Sequence, residues 1–392
     1  MKNTLLQRIK IRNFKAICDS GSLSLTPLTV LIGNNGSGKS SVIEALETLR
    51  TFVVEDVNKA MQMWRGIEHV RNKSGRRRTT FSAAFSTAFS KEGMERSSKP
   101  IEFTISGRLG KDRFSATTMI NERGKENELF VERESVRLGT RKARRREGRI
   151  EIGSDLSNTD IAVISGERSL LNLYLRDYID PWQFLGLAPQ SMGSPVPQTR
   201  TRGKIQLAKD GSNIAEYLLD IRELDLTAFE GIVETLKYVL PFASDIQPTL
   251  TSELERLVYL QFAERHFKVP GWLLSTGTLR ILALLAVLRH PSPPPLIIIE
   301  EIENGLDPRS IHLLVDEIRS VVETGRSQVI LATHSPYLLD LLPLSSLVLV
   351  ERVDGEPVFT RPGGEKEVAE WSKKFTPGKL FTMNRLARRK AG

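Results

Sequence analysis

Cysteine is nearly absent: Cys18 stands alone in 392 residues. A single thiol excludes an internal disulfide framework and any cysteine-rich zinc site. Histidine is scarce, and His69, His266, His290 and His312 fit no metal-ligand spacing. No stretch approaches the roughly 18 uninterrupted apolar residues of a membrane-spanning helix. The first residues lack the apolar core of a signal peptide. A cytoplasmic protein without membrane contact is therefore the expectation. Sustained heptads are missing, which excludes a long coiled-coil arm. Charge is lopsided: a net +9 permits nucleic acid or an acidic partner without requiring either. The length allows a large core and two domains.

What is present is organised around Gly33-Asn34-Asn35-Gly36-Ser37-Gly38-Lys39-Ser40, followed by Ser41. Leu28-Thr29-Val30-Leu31-Ile32 before it has the composition of a buried strand. Val42, Ile43, Leu46, Leu49 and Val53 after it share one helical face. A chance glycine-rich turn would lack this framing. Strand, glycine-rich loop and helix together cradle a nucleotide polyphosphate. The glycines let backbone N–H groups turn inward, and the helix start adds positive field. Lys39 is placed for the β- and γ-phosphates, and the Ser40 hydroxyl for Mg²⁺.

Further motifs lie in the last third of the chain. Leu296-Ile297-Ile298-Ile299 runs into Glu300-Glu301. An apolar strand ending in two carboxylates suits a Mg-nucleotide site, with Glu300 at the metal and Glu301 polarising the attacking water. Ser275-Thr276-Gly277 opens an apolar helix and forms either an anion site or a plain cap. His334, after the apolar run ending at Ala332-Thr333, is placed to contact a γ-phosphate or to serve as a turn residue. Asp307-Pro308 starts a helix, and Asp307 is expected both to cap it and to order a neighbouring subunit's site.

Between these motifs the pattern changes. Residues 2–32 alternate like two or three strands. The helix from Lys39 is expected to run into Met61–Trp64. Arg71–Arg78 reads as a basic loop. Ile101–Ile105, Arg113–Ile120 and Leu129–Leu138 read as an antiparallel meander. The basic run Arg141–Arg146 is either a solvated hairpin tip or a contact for a nucleic-acid backbone or acidic protein. Helices are expected at Glu167–Ile179, Ile214–Arg222, Thr227–Leu240 and Ser252–Phe262, with a long loop over Gly186–Gly203. Helix Leu279–Leu288, strand Leu296–Ile299, helix Pro308–Val322 and strands Ser327–Ala332 and Leu347–Val353 restore an α/β pattern. Arg385–Lys390 is a candidate for disorder. The division expected is a split core (1–78 and 270–360), an insertion (79–269, with a β meander over 79–152 and a helical lid over 153–269) and a tail (361–392).

Taken together, Asn13-Phe14-Lys15, Gly33–Ser40, Asp210-Gly211-Ser212-Asn213, Ser275–Arg280, Glu300–Leu306 and Thr333-His334-Ser335-Pro336 resemble the ABC-type ATPases of the SMC/RecF-like branch. The likeness extends to the stand-alone ATPases of bacterial phage-defence systems of the OLD, Septu and AbiL kind. It implies an α/β, P-loop nucleotide-binding domain with a mixed sheet. Gly33–Ser40 matches the Walker A loop, Glu300 the Walker B acid and Glu301 the catalytic glutamate. Ser275–Gly277 matches the signature, Asp307 the D-loop and His334 the switch histidine. ATP and Mg²⁺ are the implied ligands, held between two copies of the chain. Three departures stand out: Ser-Thr-Gly replaces Ser-Gly-Gly, Ile302 stands where relatives often place proline, and no glutamine after the first helix fits a Q-loop. The function expected is an ATP-driven switch that dimerises and controls a separate effector, a nuclease or toxin. The alternatives are a RecF-like DNA-repair ATPase, with nucleic acid at Arg71–Arg78 and Arg137–Arg149, or a nucleotide-gated scaffold. The stretch after His334 is short for a TOPRIM nuclease, and Glu351 and Asp354 lack its acidic pairing.

Overall fold

The computed structural model describes residues 4–73, 99–124, 128–146, 149–152, 169–199, 204–240, 244–252, 255–264, 267–364 and 366–386. The strands are β1 (Leu5–Phe14), β2 (Ile17–Asp19), β3 (Leu23–Ser24), β4 (Leu28–Ile32), β5 (Ile101–Leu109), β6 (Asp112–Arg123), β7 (Glu128–Leu138), β8 (Arg141–Arg146), β9 (Arg149–Ile152), β10 (Gln183–Leu185), β11 (Val196–Pro197), β12 (Asp245–Leu250), β13 (Leu257–Glu264), β14 (Phe267–Pro270), β15 (Leu296–Glu300), β16 (Gln328–Thr333), β17 (Leu347–Val353) and β18 (Glu356–Thr360). The helices are α1 (Lys39–Val54), α2 (Val57–Gln62), α3 (Ile67–Val70), α4 (Leu170–Ile179), α5 (Pro189–Met192), α6 (Ile214–Leu224), α7 (Leu226–Val239), α8 (Thr276–Leu288), α9 (Pro308–Glu323), α10 (Pro336–Asp340), α11 (Lys366–Trp371) and α12 (Pro377–Thr382).

The central sheet runs β10-β15-β16-β4-β17-β18, parallel except for the antiparallel edge strand β18. Its strands are apolar without alternation because both faces are covered. Successive residues therefore serve opposite cores. Val30, Ile297, Ile299, Val329 and Leu331 pack toward α6, α7, α8 and α9. Leu31, Ile298, Ile330 and Val348 pack toward α1, α4 and the second sheet. That second sheet is antiparallel, β2-β1-β5-β6-β7-β8-β9, with β3 added on β1. A small third sheet gathers β11, β12 and β14 around β13.

Gln328 joins the two large sheets. Its side chain sits at the start of β16, accepts from Leu6 N at 2.9 Å and donates to Leu6 O at 2.8 Å and Thr26 O at 3.0 Å. One amide group thus does for the sheet junction what a paired strand would do.

Several expectations are corrected. Ser252–Phe262 is not a helix: β13 occupies Leu257–Glu264 and pairs with three strands. Val258, Leu260 and Phe262 are buried in alternation, the period of a half-covered strand. The helix from Lys39 stops at Val54, because the Asp56 carboxylate accepts from Lys59 N and opens α2. Arg141–Arg146 is no hairpin tip but a paired strand. The Gly186–Gly203 stretch holds α5 and β11, and residues 200–203 lie outside the described residues. The sheets also cross the expected division: β1 pairs with β5, and β10 pairs with β15. In the tail, α12 follows Phe375, and Arg385 lies over the Trp371 ring at 5.0 Å. Residues 387–392, residues 74–78 of the basic loop and residues 167–168 lie outside the described residues.

Candidate functional site

The site forms where β4, β16 and β15 end side by side. Register pairs Ile32 with Thr333, and Ala332 with both Leu31 and Glu300. The carboxylates of β15 therefore emerge on the same edge as the loop that follows β4, roughly 10 Å away at two strand spacings.

The loop is built by glycine where other residues would fail. Gly36 and Gly38 have φ of +74° and +116°. A Cβ on Gly38 would lie 2.8 Å from Pro357 Cγ, and one on Gly33 would lie 2.1 Å from Val350 O. The strands flanking the loop thus leave no volume for a side chain. Arg352 on β17 donates from Nε to Gly36 O at 2.8 Å and holds the loop from outside. Asn34 and Asn35 are exposed, while Ser37 and Ser41 are buried. Ser37 Oγ is buried without a hydrogen-bond partner. A buried hydroxyl left this way inside a glycine-rich loop fits an incoming anion.

Lys39 turns back over the loop and donates to Gly33 O at 2.6 Å and Asn34 O at 3.0 Å. Burial lowers its pKa, and the nearby Glu301 and Glu303 carboxylates oppose that shift. The Ser40 hydroxyl meets Glu300, whose carboxyl is pushed up by burial and held down by Lys209 and Ser40. Lys209 itself pairs with Glu47 on α1 at 2.7 Å. One hydroxyl beside one carboxylate is an all-oxygen donor set, as Mg²⁺ requires when a nucleotide supplies further ligands. Among the described residues no group of three His, Cys, Asp or Glu could hold a metal alone.

Glu301 follows with φ of +51°, a left-handed backbone uncommon for a non-glycine residue, which turns the chain sharply at the end of β15. Its N–H donates to Ala332 O at 2.9 Å, and its carboxylate accepts from Asn304. Glu303 then does something the sequence did not reveal. Its Oε1 accepts from Thr333 Oγ1 at 2.6 Å and from His334 N at 3.3 Å, while Oε2 is buried without a partner. The His334 ring lies 3.8 Å from the same carboxylate. Glu303 therefore ties the end of β16 to the loop after β15. An acid three residues beyond Glu300 was the available signal, but only the pairing of β15 with β16 gives it meaning.

Ser275, Gly277 and Asp307 make no hydrogen bond to the phosphate loop. Ser275 Oγ accepts from Thr278 N at 3.1 Å and caps α8. Asp307 caps α9 through Arg309 N and Ser310 N, and the Ser310 hydroxyl holds its carboxylate below the usual range. The start of α8 does meet the acidic loop. A Cβ on Gly277 would lie 2.7 Å from Gly305 O, and Arg280 reaches Glu301 O at 3.5 Å while donating to Leu187 O after β10 at 2.8 Å. Of the basic loop, Arg71 is held by Glu122 and Asn121.

Comparison with known proteins gives the family. A family model described as AAA domain, putative AbiEii toxin, Type IV TA system matches residues 28–340. A Nod factor export ATP-binding protein I of Sinorhizobium fredii is 31% identical over 160 residues, covering 38% of this chain and 42% of that protein. An OLD nuclease of Thermus scotoductus is 21% identical over 369 residues, covering 89% of this chain and 62% of that protein. The chain thus spans less than two thirds of the length of these curated relatives. Among solved structures, an SMC head bound to the C-winged helix domain of ScpA aligns with a TM-score of 0.54 at 14% identity, covering 91% of this chain and 98% of that one. An Smc head with an extended coiled coil, bound to the C-terminal domain of ScpA from Pyrococcus furiosus, aligns at 0.51 and 14% identity, covering 94% and 99%. These two show the fold alone. No helix among the described residues is long and apolar enough to cross a membrane. The match over residues 28–340, on a chain with this loop and this acidic strand end, places it in the AAA-domain family of putative AbiEii toxins, with a nucleotide-binding unit of the ABC/SMC-like ATPase type.

Proposed function

We propose that the chain binds ATP at Gly33–Ser41 and hydrolyses it as a switch that engages a second copy of itself and controls a separate effector. The carrying observation is the register of β15, β16 and β4, which brings Glu300 and Glu301 out on the same edge as the loop that holds Lys39 and Ser40. In this reading the loop amides and Lys39 hold the phosphates. Ser40 and Glu300 would hold Mg²⁺, which when bound neutralises charge on the phosphate oxygens. Glu301 accepts a proton from the water that attacks the γ-phosphorus as the β–γ bridging P–O bond breaks. Glu303 orients the backbone at His334, which contacts the γ-phosphate and registers its loss. Ser275, Gly277 and Asp307, turned to other partners within one copy, serve the site of the facing copy. The loop after β10, leading into α5 with its exposed Gln190, opens on the Glu300 edge and links nucleotide state to the rest of the chain. An OLD nuclease relative and the AbiEii description support a defence setting with a nuclease or toxin as effector.

The test is Glu301→Gln. It should bind ATP with near-normal affinity, hydrolyse it at least about 100-fold more slowly and accumulate as an ATP-bound dimer in light scattering. Normal steady-state hydrolysis by that variant would show that another residue handles the water. Equally slow wild type and variant would leave a nucleotide-gated scaffold instead.

A further inference from the structure

The solvent face of the antiparallel sheet carries a charge pattern that ATP chemistry does not use. Residues in register across neighbouring strands share a face, and three such rows can be read directly. The first is Arg8, Ser106, Ser115, Arg137 and Lys142. The second is Lys10, Thr104, Thr117, Ser135 and Arg144. The third runs from Arg12 through Glu102 and Met119 to Arg133 and Arg146. Cations thus stand on β1 at one flank and on β7 and β8 at the other; hydroxyls fill the middle of the first two rows, and Glu102 and Met119 the middle of the third.

Acids barely offset this pattern. Glu102 is tied to Arg12 at 3.3 Å, Asp19 serves Arg12 and Lys10 at the sheet edge, Asp112 sits at the β5–β6 turn, and Glu151 lies opposite Arg144. Among the described residues, no carboxylate lies within 4.0 Å of Arg8, Arg133, Arg137, Lys142, Arg144 or Arg146. Like charges even face each other directly, as Arg108 with Arg113, Arg137 with Lys142 and Arg133 with Arg146. Such pairs destabilise an isolated sheet, and a bound polyanion relieves them. A cavity of about 650 Å³ lined by Arg8, Arg108, Arg113, Ser24 and Ser106 continues the face at one end.

We infer that this face binds the phosphate backbones of a double-stranded nucleic acid without reading sequence. From β1 to β8 there are four strand spacings, about 19 Å. Two basic flanks that far apart, across a hydroxyl-lined trough, suit two backbones bordering a groove of roughly 12 Å. The rows hold no aromatic side chain, so base stacking has no platform here. The inference stands independently of the hydrolytic reading.

The experiment is equilibrium binding of the full chain to fluorescent 30-mer duplexes of unrelated DNA sequence, the matching RNA duplex and single strands, over 50–300 mM salt. Duplexes of unrelated sequence should bind alike, with affinity falling steeply as salt rises. The combined variant Arg137→Ser, Lys142→Ser, Arg144→Ser should bind at least tenfold more weakly at 100 mM salt, with the log–log salt slope reduced by about 2–3. Arg137→Lys with Arg144→Lys should keep both affinity and slope, which separates charge from fold. Comparable DNA and RNA binding supports backbone recognition. No duplex binding at 50 mM salt, an unchanged slope in the serine variant, dependence on sequence, or a preference for single strands would each overturn the inference.

Discussion

Replacing Gln328 by leucine tests how the two large sheets are held in register. The side chain is 1% exposed and serves three main-chain groups, Leu6 N, Leu6 O and Thr26 O. Leucine matches its bulk but offers neither donor nor acceptor. Each buried main-chain group left without its partner costs about 1–3 kcal/mol, and carbonyls with a second bond elsewhere lie at the low end. Added apolar burial recovers about 1 kcal/mol. The net loss is on the order of 3–5 kcal/mol, which corresponds to roughly 5 °C in melting temperature for a chain of this length. Circular dichroism melts and urea midpoints measure it. Gln328→Glu adds a check of sign. It keeps the acceptor for Leu6 N but aims a carboxylate at two carbonyls, so burial and those carbonyls raise the introduced carboxyl's pKa. Stability should then be highest below the ordinary glutamate range and fall as pH rises through the elevated value. A leucine variant melting within about 2 °C of wild type, or a glutamate variant insensitive to pH between 4 and 7, would refute this account of the junction.

Other outcomes follow from the site. Lys39→Ala should raise the ATP dissociation constant at least about 100-fold in equilibrium dialysis, since the ammonium is the cation nearest the loop; unchanged affinity would refute the loop assignment. Glu303→Gln keeps an acceptor for Thr333 but removes the charge beside His334, so turnover should drop about tenfold or more while nucleotide affinity stays within a few-fold. Gly38→Ala introduces a Cβ 2.8 Å from Pro357 Cγ at φ +116°; it should lower the melting temperature and abolish nucleotide binding, and a normally binding variant would show that the hairpin yields.

Much of the core was legible because its signals are local. Gly33–Ser40 needs left-handed glycines at set positions, and Leu296–Ile299 is apolar without alternation because helices and a second sheet cover both faces. What stayed hidden depends on distant partners. The three residues of β10 are too few to show a period, and only pairing with β15 puts them in the core sheet. The helical neighbourhood of Ser252–Phe262 suggests a helix, although Val258, Leu260 and Phe262 alternate with Tyr259 and Gln261 as a strand requires. Glu303 acquires its role only once Thr333 stands opposite it. The basic run at Arg141–Arg146 was visible as charge, but its alignment with Arg8 and Arg137 across four strands was not.

The contact between Gly277 and Gly305 sets which changes this chain can accumulate. Thr276 is exposed and its Oγ1 would lie 3.7 Å from a Cβ on Gly305, an ordinary contact distance, so the single chain accommodates threonine where the signature pattern has glycine. Position 277 has no such latitude, because any larger residue would wedge helix α8 away from the turn that follows Glu301. Drift at 276 and arrest at 277 should therefore mark this protein's descendants, with tolerance changing sharply between adjacent codons.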